Sequence, residues 1–202
     1  MRLSVVLDLH RNWFGGIENK TANVFAALPF TPNQYTSLSI ASALAMLYPI
    51  VAGHYVAALA LFIVAAGLDF IDGAVARKRG LATKRGAYWD TIADRYVEAM
   101  LLFGLLFCRL PDFYLPVTAW IFLALFGSTM TTYAKAAAKE KELREAELKG
   151  GLMSRGERLA AYFLILAAMI WGNYYLAAVI IAVSAMLANI TAGQRISAAL
   201  RR

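Results

Sequence analysis

Six apolar blocks, each near the length of a membrane span, make up most of this chain. They cover about residues 35–52, 55–77, 87–108, 115–137, 157–171 and 174–193. A helix needs about 20 predominantly apolar residues to cross the hydrocarbon core of a bilayer. The mean hydropathy of +0.57 and the hydrophobic fraction of 60% are also high for a soluble chain. The sequence therefore predicts an all-α fold, a six-transmembrane-helix integral membrane bundle.

The N-terminal part, residues 1–31, instead mixes apolar, charged and aromatic residues. Its stretch IENKTANVFAALPF predicts an amphipathic helix at the membrane interface, ended by Pro29 and Pro32. We expect two regions: a juxtamembrane segment over residues 1–31 and a six-helix transmembrane domain over residues 32–202 that carries the active site. Because Asp8 interrupts the first short apolar stretch, the N-terminus lacks a signal-peptide layout, and we expect the chain to keep it.

The Lys and Arg residues cluster between the apolar blocks and near the two ends of the chain. The N-terminal segment, the 77–85 loop, the 134–158 stretch and the C-terminal tail hold nearly all Lys and Arg, whereas the other turns hold only Arg109. The positive-inside rule then places both termini in the cytoplasm. The formal net charge of +7 suits anionic lipid headgroups better than nucleic acid, because the cations flank apolar blocks. The charged part of the 134–158 stretch also predicts a solvated helical extension that Gly150 and Gly151 end.

Four aspartates, Asp69, Asp72, Asp90 and Asp94, lie inside or at the edge of two consecutive blocks. An ionised carboxylate is costly there, and a cation relieves that cost. Spacings of three and four place each pair on one helix face, and antiparallel spans bring both pairs to one membrane surface. Mg²⁺ is commonly held by carboxylates together with substrate phosphates, and two ions can clamp a phosphoryl displacement. We expect a site for two Mg²⁺ or Mn²⁺ ions at the cytoplasmic face; salt bridges to nearby Arg and Lys are the alternative.

Small residues lie between the two aspartate pairs. Gly73 and Ala76 would let a nucleotide approach the backbone, and Gly86 lies one turn before Asp90. Arg77, one turn after Gly73, is suited to contact a diphosphate. For both glycines, close packing between membrane helices remains the alternative.

These residues together resemble the signature of the CDP-alcohol phosphotransferases. The pattern D-x₂-D-G-x₂-A-R-x₈-G-x₃-D-x₃-D is formed by Asp69, Asp72, Gly73, Ala76, Arg77, Gly86, Asp90 and Asp94. Pro32, Asn33 and Thr36 extend the resemblance to the start of the first block. The family moves a substituted phosphate from a CDP-linked lipid to an alcohol and releases CMP, in phospholipid biosynthesis. The resemblance therefore implies a transferase with these substrates as partners, and it also implies a homodimer in a prokaryotic plasma membrane.

The resemblance also implies a role for each matching residue. Asp69, Asp72 and Asp90 would bind metal, and Asp94 would be both a ligand and the general base on the acceptor hydroxyl. The CDP site would be lined by Gly73, Ala76, Arg77, Gly86 and Asp69.

The acceptor depends on cations near the ends of the last three blocks. If those ends meet, Lys135, Arg155 and Arg195 form a basic pocket for a phosphorylated acceptor. The pattern resembles the inositol-phosphate-using branch, the phosphatidylinositol-phosphate and archaetidylinositol-phosphate synthases. It departs from that branch where Thr132 replaces a serine and Ala137 a frequent arginine. The alternative is that these cations, like Arg158, only flank the membrane.

Several readings of the function stay open at this point. The acceptor is expected to be inositol phosphate, but glycerol phosphate, serine, free inositol or CDP-inositol chemistry fit the same reaction. Glu98 lies one turn beyond Asp94. It either holds the site residues in place or orients the acceptor, or else it pairs with a nearby Arg or Lys. A membrane prenyltransferase would need more spans, with one acidic pair in each half. A cation transporter would not call for the glycine and arginine pattern.

Overall fold

Residues 21–143 and 151–201 are described by the structure, a computed structural model. They form six α-helices: α1 (Pro32–Val51), α2 (Tyr55–Lys78), α3 (Lys84–Leu105), α4 (Val117–Glu140), α5 (Arg155–Ile170) and α6 (Tyr174–Leu200). Each helix coincides with one predicted apolar block, and the described residues contain no β-strand. The prediction of an all-α fold is confirmed. The predicted N-terminal helix begins outside the described residues, and within them only residues 21–25 of it are helical.

Three of the described helices, α2, α4 and α6, are long and apolar enough to cross a membrane. The other three fall short for visible reasons: α3 carries several charges in its first half, α5 has only 16 residues, and α1 starts with a polar turn. The apolar helices indicate an integral membrane protein.

The predicted turns are present, and one predicted helix end is wrong. Gly53 and Gly172 take positive φ angles of 79° and 72° between consecutive helices, which glycine adopts without strain. The helical extension expected up to Gly150 is already interrupted at Lys141, because α4 ends at Glu140. Glu142 has a φ of 55°, and the Leu143 amide donates to the Ala138 carbonyl at 3.0 Å, a Schellman ending. Residues 144–150 lie outside the described part of the chain.

The described residues divide into two compact units. The first contains the residues up to Ser42 and Ile63–Val97, and the second contains Ala43–Phe62 and the residues from Glu98 onward. In the first unit, Tyr35, Ile71 and Val75 form a small core. The Tyr35 hydroxyl donates to the Phe25 carbonyl at 3.0 Å, so the turn after residues 21–25 is fixed against α1.

Arg79, just after α2, also holds the turn that precedes α1. Its guanidinium donates to the backbone carbonyls of Ala26, Leu28 and Phe30 at distances of 2.5–3.1 Å. Because this segment leads directly into Pro32, Arg79 also fixes where α1 begins.

The second unit has the larger core, to which parts of all six helices contribute. Within it α4 packs closely against α6. Asn189 of α6 donates to the carbonyl of Leu123 in α4 and to that of Ala185, both at 2.8 Å. Gly127 allows this close approach, because a Cβ atom there would lie 2.8 Å from the Asn189 backbone nitrogen.

Candidate active site

Three of the four predicted aspartates come together in the first unit. Asp69 and Asp72 lie three residues apart on α2, and Asp90 lies on α3. One carboxylate oxygen from each lies within 4.8 Å of the other two. Asp72 is only 4% exposed, while Asp69 and Asp90 are half-buried. Three converging carboxylates repel one another unless a cation lies among them, and oxygen-only donors suit a hard divalent ion. The residues present therefore fit a divalent metal ion.

Asp94 is not a member of this three-carboxylate cluster among the described residues. It lies one helical turn after Asp90 on α3 and is half-buried. The structure thus brings together three of the four predicted metal ligands, with Asp94 one helical turn farther along α3.

Thr36 supports the cluster from α1. Thr36 is 2% exposed, and its hydroxyl lies within hydrogen-bonding distance of the Asp72 carboxylate and, at 3.1 Å, of the Pro32 carbonyl. A hydroxyl has one proton, and a carboxylate is the stronger acceptor, so we assign the bond to Asp72. Sequence reasoning had named Thr36 only as part of a pattern and missed this contact.

A cleft beside the cluster collects most of the predicted nucleotide site. Six of its lining residues were expected to bind metal or CDP: Asp72, Gly73, Ala76, Arg77, Gly86 and Asp90. The cleft is completed by residues from the start of α1, from the α2–α3 loop and from the first turn of α3: Pro32, Asn33, Thr36, Leu81, Ala82, Thr83 and Ala87. Asp69, which sequence reasoning also placed at the CDP site, is not among the lining residues.

The two predicted glycines of the cleft face side chains. A Cβ atom on Gly73 would lie 3.2 Å from Nη1 of Arg77, and one on Gly86 would lie 3.2 Å from Oγ1 of Thr83. Neither would meet the backbone of a neighbouring helix, in contrast to Gly127. This geometry favours a role in keeping the cleft open over the alternative of helix packing.

The predicted acceptor cations, Lys135, Arg155 and Arg195, are half-buried residues of the second unit. Arg195 Nη1 donates to the carbonyl of Thr131 at 2.8 Å, one turn before Lys135 on α4. The Met153 amide donates to Thr191 Oγ1 at 2.9 Å, which ties the residues before Arg155 to α6 one turn before Arg195. These bonds tie Arg195 to α4 and the residues before Arg155 to α6.

Glu98 and Arg158 form a buried ion pair in the second unit. Glu98 is 1% exposed and Arg158 is 4% exposed. Arg158 donates through Nη2 and Nε to the two carboxylate oxygens at 3.1–3.3 Å, and the Tyr162 hydroxyl lies 3.4 Å from Glu98 Oε2. The sequence left two options for Glu98, a role in the site or an ion pair with a nearby Arg or Lys, and the structure contains the ion pair. For Arg158 the expectation of a flanking charge is wrong, because it lies on the buried face of α5 with Tyr162 and Ile165.

A sequence signal for this role of Arg158 existed but was not used. Arg158 occupies the position four residues before Tyr162 on the apolar stripe of α5, where a charged side chain faces the interior. A cation on such a stripe predicts a buried partner.

Comparison with known proteins identifies the family. Residues 29–190 match the CDP-alcohol phosphatidyltransferase family. An archaetidylinositol phosphate synthase from Pyrococcus horikoshii is 32% identical over 145 residues, which are 72% of this chain and 73% of that protein. A phosphatidylinositol phosphate synthase from Corynebacterium glutamicum is 32% identical over 146 residues, 71% of this chain and 65% of that protein. A bifunctional IPC transferase and DIPP synthase from Aquifex aeolicus is 35% identical over 151 residues, 71% of this chain but 33% of that protein.

Solved structures agree with these matches. The phosphatidylinositol phosphate synthase of Mycobacterium tuberculosis in complex with manganese and citrate has a TM-score of 0.76 at 25% identity, covering 92% of each chain. A second structure of that enzyme, with CDP-DAG bound, shares the fold with a TM-score of 0.76 at 24% identity, covering 92% of this chain and 98% of that one. Because the family match covers more than half of its residues, the chain belongs to the CDP-alcohol phosphatidyltransferase family and is a membrane-bound transferase of substituted phosphate groups.

Proposed function

We propose that this chain transfers a substituted phosphate from a CDP-linked lipid to an inositol phosphate and releases CMP. The observation that carries the proposal is the cluster of Asp69, Asp72 and Asp90 beside a cleft lined by small residues and Arg77. Carboxylates that hold divalent ions next to an open, basic cleft suit a diphosphate substrate, because the ions and the guanidinium both neutralise phosphate oxygens.

The cleft is suited to the nucleotide end of the donor. Its volume of about 160 Å³ is below the roughly 300 Å³ at which pockets enclose whole ligands. In this proposal the cleft takes the nucleotide, for which Gly73 and Gly86 leave room, and the lipid chains of the donor stay in the membrane. Arg77, exposed at the cleft, binds the diphosphate.

The chemistry is an in-line displacement at the phosphorus that carries the lipid. Two divalent ions, Mg²⁺ or Mn²⁺, held by Asp69, Asp72 and Asp90 would neutralise the diphosphate and the departing CMP. Asp94 removes the proton from the acceptor hydroxyl, whose oxygen forms the new bond to phosphorus as the bond to CMP breaks. As the resemblance implied, Asp94, one helical turn after Asp90 on α3, is in this proposal both a metal ligand and the base.

The relatives and three cations of the second unit support inositol phosphate as the acceptor. Lys135, Arg155 and Arg195 bind the acceptor phosphate, since guanidinium groups contact phosphate through two donors. The two relatives from Pyrococcus and Corynebacterium are both named as inositol phosphate synthases.

The arrangement in the membrane is part of the same proposal. All six helices, including the shorter or more polar α1, α3 and α5, cross the membrane of a prokaryotic cell as one bundle, with both termini and the aspartates at the cytoplasmic face. Residues 1–31 form a juxtamembrane segment with an interfacial amphipathic helix, and residues 32–202 form the catalytic domain of a homodimer.

The direct test is CMP release by the purified protein with CDP-diacylglycerol or CDP-archaeol and a divalent ion. We expect release with inositol phosphate and much less with glycerol phosphate, serine or free inositol. Asp94→Asn should remove the activity while CDP still binds. Absence of CMP release with every polyol and polyol phosphate would refute the proposal, and nucleotide-independent ion flux into proteoliposomes would instead favour a transporter.

A further inference from the structure

The buried ion pair between Glu98 and Arg158 has no part in the chemistry proposed above. Its two-point geometry is directional, because Nε and Nη2 of Arg158 both point at the carboxylate, at 3.1–3.3 Å. Such a fork fixes the orientation of the guanidinium as well as its distance. Through Arg158, α5 is therefore held in one rotation about its own axis.

Further hydrogen bonds fix the N-terminal end of α5. The Met153 amide donates to Thr191 of α6 at 2.9 Å, and Glu157 accepts from the Ser154 amide to cap the first turn of α5. Arg155, the first residue of α5, lies two residues after Met153 and three before Arg158. It therefore lies between two fixed points and on the same helix face as Arg158.

A buried ion pair is a costly way to stabilise a fold. Apolar residues of similar volume often stabilise as well or better, so the pair is better explained by the orientation that it imposes.

We infer that Glu98 and Arg158 are positioning residues for the acceptor site, and that they act by aiming Arg155 at the acceptor phosphate. This inference rests on the proposed role of Arg155 in binding a phosphorylated acceptor. Tyr162 assists by donating to Glu98 Oε2.

The test is steady-state CMP release by the full-length enzyme with Glu98→Gln, which keeps the side-chain shape but removes the charge. We expect the KM for inositol phosphate to rise roughly tenfold or more, since misplacement of a binding group by 1 Å costs up to about 100-fold. The KM for the CDP-lipid and the kcat at saturating acceptor should stay within about twofold. Leu164→Ala, an exposed position on α5, the helix that carries Arg155 and Arg158, is the control and should leave all three constants unchanged.

A double-mutant cycle decides whether Glu98 acts through Arg155. In an Arg155→Ala background, Glu98→Gln should add no further increase in the KM for inositol phosphate. Additive effects, or an equal loss of donor and acceptor affinity, would overturn the inference. If Arg155→Ala raises the acceptor KM but Glu98→Gln does not, only this inference fails; if Arg155→Ala has no effect, the proposed acceptor site fails and the inference with it.

Should Glu98→Gln not fold, Arg158→Lys decides the question in the same cycle. Lysine keeps the charge but contacts the carboxylate at one point, so we expect a smaller rise in the acceptor KM and again no change for the donor. An acceptor KM equal to that of the wild type in a folded Arg158→Lys enzyme would contradict the orienting role.

Discussion

A methyl group on Gly127 would collide with the backbone of α6, and this makes Gly127→Ala a sharp test of the packing in the second unit. The added Cβ would lie 2.7 Å from Asn189 Nδ2, 2.8 Å from the Asn189 backbone nitrogen and 3.0 Å from the Ala188 carbonyl carbon. Ordinary contact begins at 3.4 Å, so α4 and α6 must separate by about 0.6 Å (3.4 minus 2.8) at this point.

The expected cost follows from that separation. Overpacking of this kind costs about 1–3 kcal/mol. Strain on the 2.8 Å bond from Asn189 to the Leu123 carbonyl adds about 1 kcal/mol. Alanine regains about 1 kcal/mol over glycine in helix propensity, which leaves a net destabilisation of about 1–3 kcal/mol. For a chain of this size, that corresponds to a Tm lower by about 2–12 °C.

The assay is thermal unfolding in detergent, followed by the fluorescence of the four tryptophans. The matched control is Gly193→Ala on α6, where an added Cβ meets nothing within 4 Å, so its Tm should equal or exceed that of the wild type. Gly127→Ala should also raise the KM for the acceptor, because Thr131, one turn beyond Gly127, binds Arg195. A Gly127→Ala protein as stable as Gly193→Ala would refute this account of the α4–α6 contact.

Three further outcomes follow from the first unit. Arg79→Ala should raise the KM for the CDP-lipid roughly tenfold, because the backbone carbonyls before α1 lose their hydrogen bonds to the guanidinium. Arg79→Lys should recover part of the lost donor affinity. An unchanged donor KM for Arg79→Ala in steady-state assays would contradict this role of Arg79. Thr36→Val removes the hydroxyl from Asp72, so Mg²⁺ titration of the activity should show a half-maximal concentration about 10-fold higher; an unchanged titration curve would count against this contact. Gly73→Ala should raise the donor KM while Gly67→Ala, with nothing within 4 Å of its Cβ, should not, and equal KM values would exclude the steric role of Gly73.

The parts of the site that the sequence predicted are those that depend on local geometry. The spacing of Asp69 and Asp72 fixes one helix face, and a single short loop returns the chain so that Asp90 joins them. The cleft residues Gly73 and Arg77 lie on α2, directly after the first aspartate pair. No long-range information is needed to bring these groups together, and for that reason the local pattern was sufficient.

The parts that the sequence did not predict depend on partners far along the chain. Arg79 binds carbonyls of Ala26 and Phe30, about 50 residues earlier, and backbone carbonyls leave no side-chain signal. Arg158 binds Glu98 60 residues away, and only the packing of α5 selects it among the available cations. The early end of α4 was missed because it places Glu142, rather than glycine or asparagine, in the left-handed conformation.

The glycines show how one residue type serves two purposes that only the structure separates. Opposite Gly73 lies the movable guanidinium of Arg77, whereas opposite Gly127 lie backbone atoms of α6 that cannot move without the helix. A methyl group at Gly73 can therefore be accommodated by a small shift of Arg77, which lowers donor binding but leaves the fold intact. At Gly127 the same methyl group must displace a helix, so stability falls first and acceptor binding follows through Arg195 and Thr131. The sequence offered both explanations for a glycine in a membrane helix, and the atom that lies opposite decides between them.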